Sequence, residues 1–64
     1  MKIEVLYGKD ESKIFDFPVS DIPTILNLWK QYPLFGGEAG TEFRVESINF
    51  NIEDNAFVVT TEEI

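Results

Sequence analysis

The stretch VSDIPTILNLWKQYP, residues 19–33, carries apolar residues at a spacing that decides the fold of the chain. They recur at positions i, i+3, i+4 and i+7, which is the pattern of one face of an amphipathic helix. These residues are Ile22, Ile25, Leu26 and Trp29. A helix that packs this face against a sheet buries Trp29 near the centre of the contact, so we expect Trp29 to belong to the core.

Both ends of this helix are indicated by local sequence. Ser20 or Asp21 can serve as the N-cap, and Pro23 suits the first turn because its missing N–H costs nothing there. Pro33 drives the residue before it out of the helical conformation. We therefore expect a helix of about eleven residues that ends near residue 31 or 32.

The segments KIEVLYG and KIFDFPV, before the helix, alternate between apolar and other residues with the period of a β-strand. A five-residue loop, residues 8–12, predicts their register as an antiparallel hairpin. The expected pairs are Val5 with Phe15 and Ile3 with Phe17 on one face, and Glu4 with Asp16 and Leu6 with Ile14 on the other. Like charges that oppose each other cost free energy. We therefore expect either that Lys2 or Arg44 compensates the repulsion between Glu4 and Asp16, or that the two carboxylates are exposed for contact with a partner.

The segments TEFRVESINFNIE and AFVVTTEE, after the helix, have the same strand-like alternation and are separated by Asp54 and Asn55. A two-residue turn at these positions predicts a second hairpin. Its expected apolar pairs are Ile52 with Phe57, Phe50 with Val59, and Ile48 with Thr61. The alternation changes phase near Glu46 and Ser47, which favours a β-bulge there. The alternative is that Phe43 and Val45 belong to a loop or to the other face.

The order of these elements predicts a single α+β domain, residues 1–64, with a ββαββ arrangement. One helix packs on one face of a four-stranded, mainly antiparallel sheet. A right-handed crossover gives the strand order 2-1-3-4, in which the second and fourth strands are the edges. The glycine-rich stretch GGEAG, residues 36–40, is interpreted as a flexible connector.

The composition argues against the common catalytic and metal-binding chemistries. The chain has 64 residues with no histidine and no cysteine, so it has neither a disulfide nor the usual zinc ligands. Its serines, Ser12, Ser20 and Ser47, each suit a local structural role, and none lies beside a histidine base. Its adjacent carboxylates lie in expected turns or near the end of the chain. We expect no enzymatic activity, no cofactor and no metal.

The charge narrows the class of partner. Twelve acidic and five basic residues give a net charge of -7, which disfavours nucleic acid and anionic membranes as partners. No apolar run approaches the ~18 residues that span a bilayer, and the first residues become charged too soon for a secretory signal. A cytoplasmic protein is therefore expected. A basic protein surface would complement the acidic charge, although an acidic surface that only confers solubility is the simpler interpretation.

These observations lead to the hypothesis of a small non-enzymatic module that binds a basic protein surface. Four apolar residues at and after the end of the helix are candidate anchors for a partner: Leu28, Tyr32, Leu34 and Phe35. Four carboxylates on the sheet face that points away from the helix are candidate contacts for the basic groups of the partner: Glu4, Asp16, Glu42 and Glu46. Such a chain would suit a phage or bacterial inhibitor or adaptor, including a nucleic-acid mimic.

The alternative hypothesis is a self-associating structural or accessory subunit. Leu6, Ile14 and Val58 interrupt the polar face of the predicted sheet and could form the contact of a homodimer. An exposed edge strand is the other surface through which two copies could pair.

Overall fold

One helix and five strands make up the fold in the computed structural model, which describes residues 1–64. In chain order the elements are β1 (Lys2–Tyr7), β2 (Glu11–Asp16), α1 (Ile22–Gln31), β3 (Leu34–Gly36), β4 (Thr41–Asn51) and β5 (Ala56–Glu63). A short 3₁₀ turn, Val19–Asp21, leads into α1. The chain is therefore α+β with one helix, as expected, but it has a fifth strand that the sequence pattern did not predict.

The strands form one mixed sheet in the order β2-β1-β5-β4-β3. The strands β1 and β5 lie parallel to each other, and the other neighbours are antiparallel. The expected order 2-1-3-4 is wrong, because the last strand of the chain lies beside the first strand. The edges of the sheet are consequently β2 and β3, and β5 is an interior strand.

Burial explains why β5 occupies the interior of the sheet. It begins with an apolar run, residues 56–59, which carries apolar side chains on both faces. Val59 is completely buried on the helix side, and Val58 is half-buried on the opposite side. A strand with apolar side chains on both faces buries more apolar surface between two neighbouring strands than at an edge. The interior position therefore stabilises it more.

The strand β3 is short, and it forms a hairpin with the start of β4. Leu34 pairs with Phe43, Phe35 with Glu42, and Gly36 with Thr41. Residues 37–40 make the turn, in which Gly37 and Gly40 have φ values of 80° and 64°. This left-handed conformation favours glycine. The stretch interpreted as a flexible connector is therefore part of a hairpin.

The helix α1 begins and ends close to the expected positions. Pro23 lies in its first turn, and Asp21 occupies the N-cap position without a capping hydrogen bond from its side chain. Tyr32 is extended, with φ -120° and ψ 146°, as expected for a residue before proline. The helix has ten residues.

The core lies between α1 and the helix-facing side of the sheet, which we call the inner face. Ile3, Val5, Ile22 and Val59 form its buried centre. Trp29 packs against this cluster, and its ring lies 5.4 Å from the ring of Phe15 and 6.2 Å from that of Phe17, centroid to centroid. Trp29 therefore contacts the core as expected, but it is only half-buried, and the helix residue at the buried centre is Ile22.

The two hairpins that the sequence predicts, β1–β2 and β4–β5, each differ from the predicted register by two residues. The first has a three-residue turn, residues 8–10, so that Ile3 opposes Phe15 and Val5 opposes Lys13. The second has a four-residue turn, residues 52–55, so that Phe50 opposes Phe57. Because side chains alternate with a period of two, a shift of two residues leaves each side chain on its predicted face. The predicted pairs are wrong, and the predicted faces of the paired strands are right.

The β-bulge in β4 is confirmed at the predicted place. Val45 pairs with Thr61 and Ser47 pairs with Thr60, which leaves Glu46 without a partner in the sheet. This extra residue brings Phe43 and Val45 onto the same inner face as Ile48. The alternative, in which Phe43 and Val45 lie in a loop or on the other face, is excluded because Phe43 is buried in a strand.

Candidate functional site

Three of the four predicted apolar anchors are exposed at the end of α1 and on β3. Leu28 is 46% exposed, Tyr32 61% and Phe35 67%. The backbone N–H of Tyr32 donates a hydrogen bond to the carbonyl oxygen of Leu28, at 3.1 Å, which completes the last turn of the helix. We call Leu28, Tyr32 and Phe35 the anchor residues.

Leu34 does not belong with the anchor residues. It is half-buried, whereas its neighbour Phe35 is exposed. The reason is that both residues lie in a strand, where successive side chains point to opposite faces. Leu34 shares the inner face with its partner Phe43, and Phe35 shares the opposite, outer face with Glu42. One flat partner surface cannot contact both, so this part of the predicted site is wrong.

The predicted acidic positions are spread over the outer face. Glu4 lies on β1, Asp16 near the end of β2, and Glu42 on β4 beside Phe35. Glu46 is exposed at the bulge. The structure therefore brings only Glu42 next to an anchor residue.

The predicted opposition of Glu4 and Asp16 is wrong. Asp16 opposes Lys2, and Glu4 opposes Ile14. A turn two residues shorter than expected shifts β2 along β1, so that an opposite charge faces Asp16 and no repulsion has to be relieved. The outer face also contains an ion pair between Arg44 Nε and Glu62 Oε1, at 2.6 Å. Both side chains are substantially exposed, so we expect the pair to contribute little, about 0–1 kcal/mol.

The predicted apolar contact of a homodimer is interrupted on the outer face. Leu6 opposes Ser12 and not Ile14, again because of the shorter turn. Glu4 lies between Ile14 on one side and Val58 on the other. A carboxylate in the middle of this surface would be desolvated by a second copy, which opposes burial of the three apolar residues as one continuous patch.

An aromatic cleft that the sequence reasoning missed lies on the inner face. It has a volume of about 490 Å³ and opens between the two edge strands, β2 and β3. Side chains from all the strands and from α1 surround it. Its lining residues include the anchor residue Phe35 together with Tyr7, Lys13, Phe15, Trp29, Leu34 and Phe43.

The curl of the sheet forms this cleft. A methyl group built on Gly36 would lie 3.1 Å from ring atoms of Tyr7, so the ring of Tyr7 on β1 touches the backbone of β3. Tyr7 also meets Phe43 edge to face, with ring centroids 5.9 Å apart. These contacts bring β1 close to the edge strand β3 without closing the sheet into a barrel. Glycine in a strand often marks such a close approach, which was the available indication in the sequence.

Lys13 is the charged residue of the cleft lining. It lies on the inner face of β2 opposite Val5, and its Nζ is 5.3 Å from the centroid of the Phe15 ring. An inward-facing charge on an edge strand hinders pairing with another strand, which is one structural role for Lys13. A nearby carboxylate is that of Glu11, on the same face of β2, whose Oε2 lies 4.0 Å from the position that a Cβ would take at the lining residue Gly37.

The remaining candidate groups stay apart. No three carboxylates converge in an arrangement that could hold a metal ion. Glu62 and Glu63 are successive residues of β5 and point to opposite faces, while Glu53 and Asp54 lie in the exposed turn. The hydroxyl groups of Ser47 and Thr60 share a hydrogen bond across the bulge, which gives Ser47 the structural role expected for it.

No protein-family model, curated protein or solved structure compared with this chain matches it. The ten-residue helix is shorter than a membrane-spanning helix, and no other helix of the chain is long and apolar enough to cross a bilayer.

Proposed function

We propose that this chain is a non-enzymatic module that binds a basic surface of another protein through Tyr32 and Phe35. Leu28 is outside this contact, because it lies on α1, which covers the inner face, whereas Phe35 lies on the outer face. The observation that carries the proposal is the exposure of Tyr32 and Phe35, two aromatic side chains within one short segment. Aromatic residues are enriched at the energetic centres of protein interfaces. The segment that contains them, residues 28–35, has only one charged residue, Lys30.

The charge of the molecule supports a basic partner. Glu42 lies directly beside Phe35, and Glu38 lies in the turn that follows β3. With a net charge of -7, the chain attracts a basic surface over a distance and repels nucleic acid and anionic lipid. An inhibitor or adaptor of phage or bacterial type, acting in the cytoplasm and including one that mimics nucleic acid, fits this chemistry.

Affinity capture with matched variants tests the proposal. The immobilised chain is exposed to a cell lysate at about 50 mM and about 500 mM NaCl, a range over which surface charges become strongly screened. We expect it to retain a protein with a basic surface at the lower concentration. Phe35→Ala should lose that protein, because truncating an aromatic anchor typically costs about 2 kcal/mol or more.

Ile52→Ala is the matched control for this capture. Ile52 is 81% exposed in the turn between β4 and β5, and it is not one of the anchor residues. The Ile52→Ala variant should therefore bind the partner as well as the unaltered chain does. Glu42→Gln and Glu53→Gln form a second pair, in which only the former should weaken capture at low salt. Retention of no protein, or equal losses in Phe35→Ala and Ile52→Ala, would refute the proposal.

Self-association through the free edge of β2 is the second candidate function. Phe17 donates its backbone N–H to the carbonyl oxygen of Met1, which indicates that the alternate residues Ser12, Ile14 and Asp16 direct their backbone groups away from β1. Ile14 is 61% exposed on this edge. These free backbone groups could pair with a strand of a second copy, while the inward-facing Lys13 on the same strand opposes that pairing.

A further inference from the structure

We infer that the aromatic cleft is a binding site for a small organic monocarboxylate whose remaining part is apolar or aromatic. The cleft and the protein-binding site proposed above share one side chain, because Phe35 is also a lining residue of the cleft. Lys13, which the inference assigns to the ligand, is not one of the anchor residues. The volume of the cleft, about 490 Å³, lies in the range of small-molecule sites, which is about 300–1,000 Å³.

The walls of the cleft suit an apolar body. Phe15 and Trp29 line the cleft and meet edge to face at 5.4 Å, and Tyr7 and Phe43 line it and meet edge to face at 5.9 Å. Leu34 lies on the side of β3. A flat aromatic ring or a short alkyl chain would find ring faces, ring edges and an aliphatic side chain around it, and its burial would drive binding.

The charge in the cleft selects an anionic group. Lys13 contributes the charged group of the lining, and it forms neither of the two salt bridges in the chain. Its ammonium group lies 5.3 Å from the centroid of the Phe15 ring, a lining side chain, so a carboxylate bound beside that ring would be near the positive charge. An ammonium group and a carboxylate form a charge-assisted hydrogen bond that is stronger than a neutral one.

The net charge of the protein limits how much negative charge the ligand can carry. At -7 the protein repels anions over a distance, and a polyphosphate would be repelled several times more strongly than a monocarboxylate. One carboxylate can be compensated by one lysine. The apolar part must then supply most of the binding free energy.

Three probes with one common body distinguish this ligand class from others. They are 3-phenylpropionate, its neutral amide 3-phenylpropanamide, and the cation 3-phenylpropylamine. Each is titrated into the full chain, with binding followed by amide NMR shifts and by the fluorescence of Trp29, the single tryptophan. We expect the carboxylate to bind about tenfold more tightly than the amide, and to shift signals of residues around the cleft.

Two lysine variants test the role assigned to Lys13. Lys13→Gln should weaken binding of 3-phenylpropionate about tenfold and abolish its advantage over the amide. Lys9→Gln removes the same charge from the exposed turn outside the cleft and should leave the affinity unchanged. The inference is overturned if the carboxylate does not bind at millimolar concentration, if the amide or amine binds as tightly, or if the shifts map outside the cleft.

Discussion

The contact between Tyr7 and Gly36 joins β1 to the edge strand β3 across the inner face of the sheet. The backbone conformation at position 36 does not require glycine, because its φ is not positive. What it provides is space, because a Cβ at this position would approach the Tyr7 ring to 3.1 Å. A side chain here would require the Tyr7 ring to move by a few tenths of an ångström, so glycine allows the close approach of β1 and β3.

We expect Gly36→Ala to destabilise the chain by about 1–3 kcal/mol, the range for inserting a methyl group into a packed site. The Tyr7 ring must move, and it cannot do so without disturbing its contact with Phe43. A domain of this size rarely has more than about 3–5 kcal/mol of stability, so the change is a large fraction of the total. Urea denaturation followed by Trp29 fluorescence measures it.

The same substitution in a Tyr7→Leu background separates crowding from other causes. Leucine lacks the ring atoms that the new methyl group would meet, so Gly36→Ala should then cost much less than in the unaltered chain. Equal costs in both backgrounds would show that the Tyr7 ring is not the reason for the glycine.

At the scale of an element, the bulge at Glu46 allows β4 to serve the core along its whole length. Residues before the bulge occupy odd positions on the inner face, and residues after it occupy even positions. Glu46 is the unpaired residue, so its removal would leave only Ser47, which points outward, between Val45 and Ile48 in the chain. Val45 and Ile48 would then both point to the inner face. A regular strand with the same inner face would result.

We therefore expect deletion of Glu46 to preserve the fold with a modest loss of stability. Deletion of Arg44, two positions away, should abolish the fold, because it forces either Phe43 or Val45 outward. Loss of a buried phenylalanine costs about 3–5 kcal/mol, which is comparable to the whole stability of a domain of this size. Thermal unfolding followed by circular dichroism compares the two deletions. A folded Arg44 deletion beside an unfolded Glu46 deletion would contradict this account of the bulge.

At the scale of the whole molecule, charge and edge design both oppose association of identical copies. Each copy carries a net charge of -7. Lys13 faces inward on one edge strand, and the other edge strand, β3, has only three residues. Short edges and inward charges are common means of preventing strand pairing between copies.

We expect the chain to scatter light as one copy of 7.4 kDa at low ionic strength. If the second candidate function is correct, the mass will double at high salt and high concentration. Ile14→Lys, on the free edge of β2, should then restore the single copy. Ile52→Lys makes the same charge change in the exposed turn and should leave such a dimer intact.

The sequence was sufficient for most features that depend on neighbouring residues. The period of apolar residues predicted α1 and four strands, Pro33 predicted the end of the helix, and the phase change at Glu46 predicted the bulge. The faces of the paired strands were also correct, because errors of two residues in turn length preserve alternation. The exposure of three anchor residues followed from the limited area that one helix can bury.

Other features were decided by residues distant in the chain. The position of β5 beside β1 depends on burying apolar surface on both faces of β5, and its apolar run was the sign of this in the sequence. The strand β3 is too short to show a period, and it exists because β4 supplies its hydrogen-bonding partners. Its formation turned Leu34 away from Phe35 and toward the core.

By itself, then, the sequence determined the helix, the four longer strands, their faces and the charge of the molecule, since each depends on residue type and on spacing over a few positions. Only the tertiary structure decided the strand order, the register, the third strand and the aromatic cleft. These arise where Tyr7 meets Gly36 and where Val5 lies beside Val59. Contacts across such distances in the chain are selected by the total surface that the whole fold buries, which no local pattern specifies.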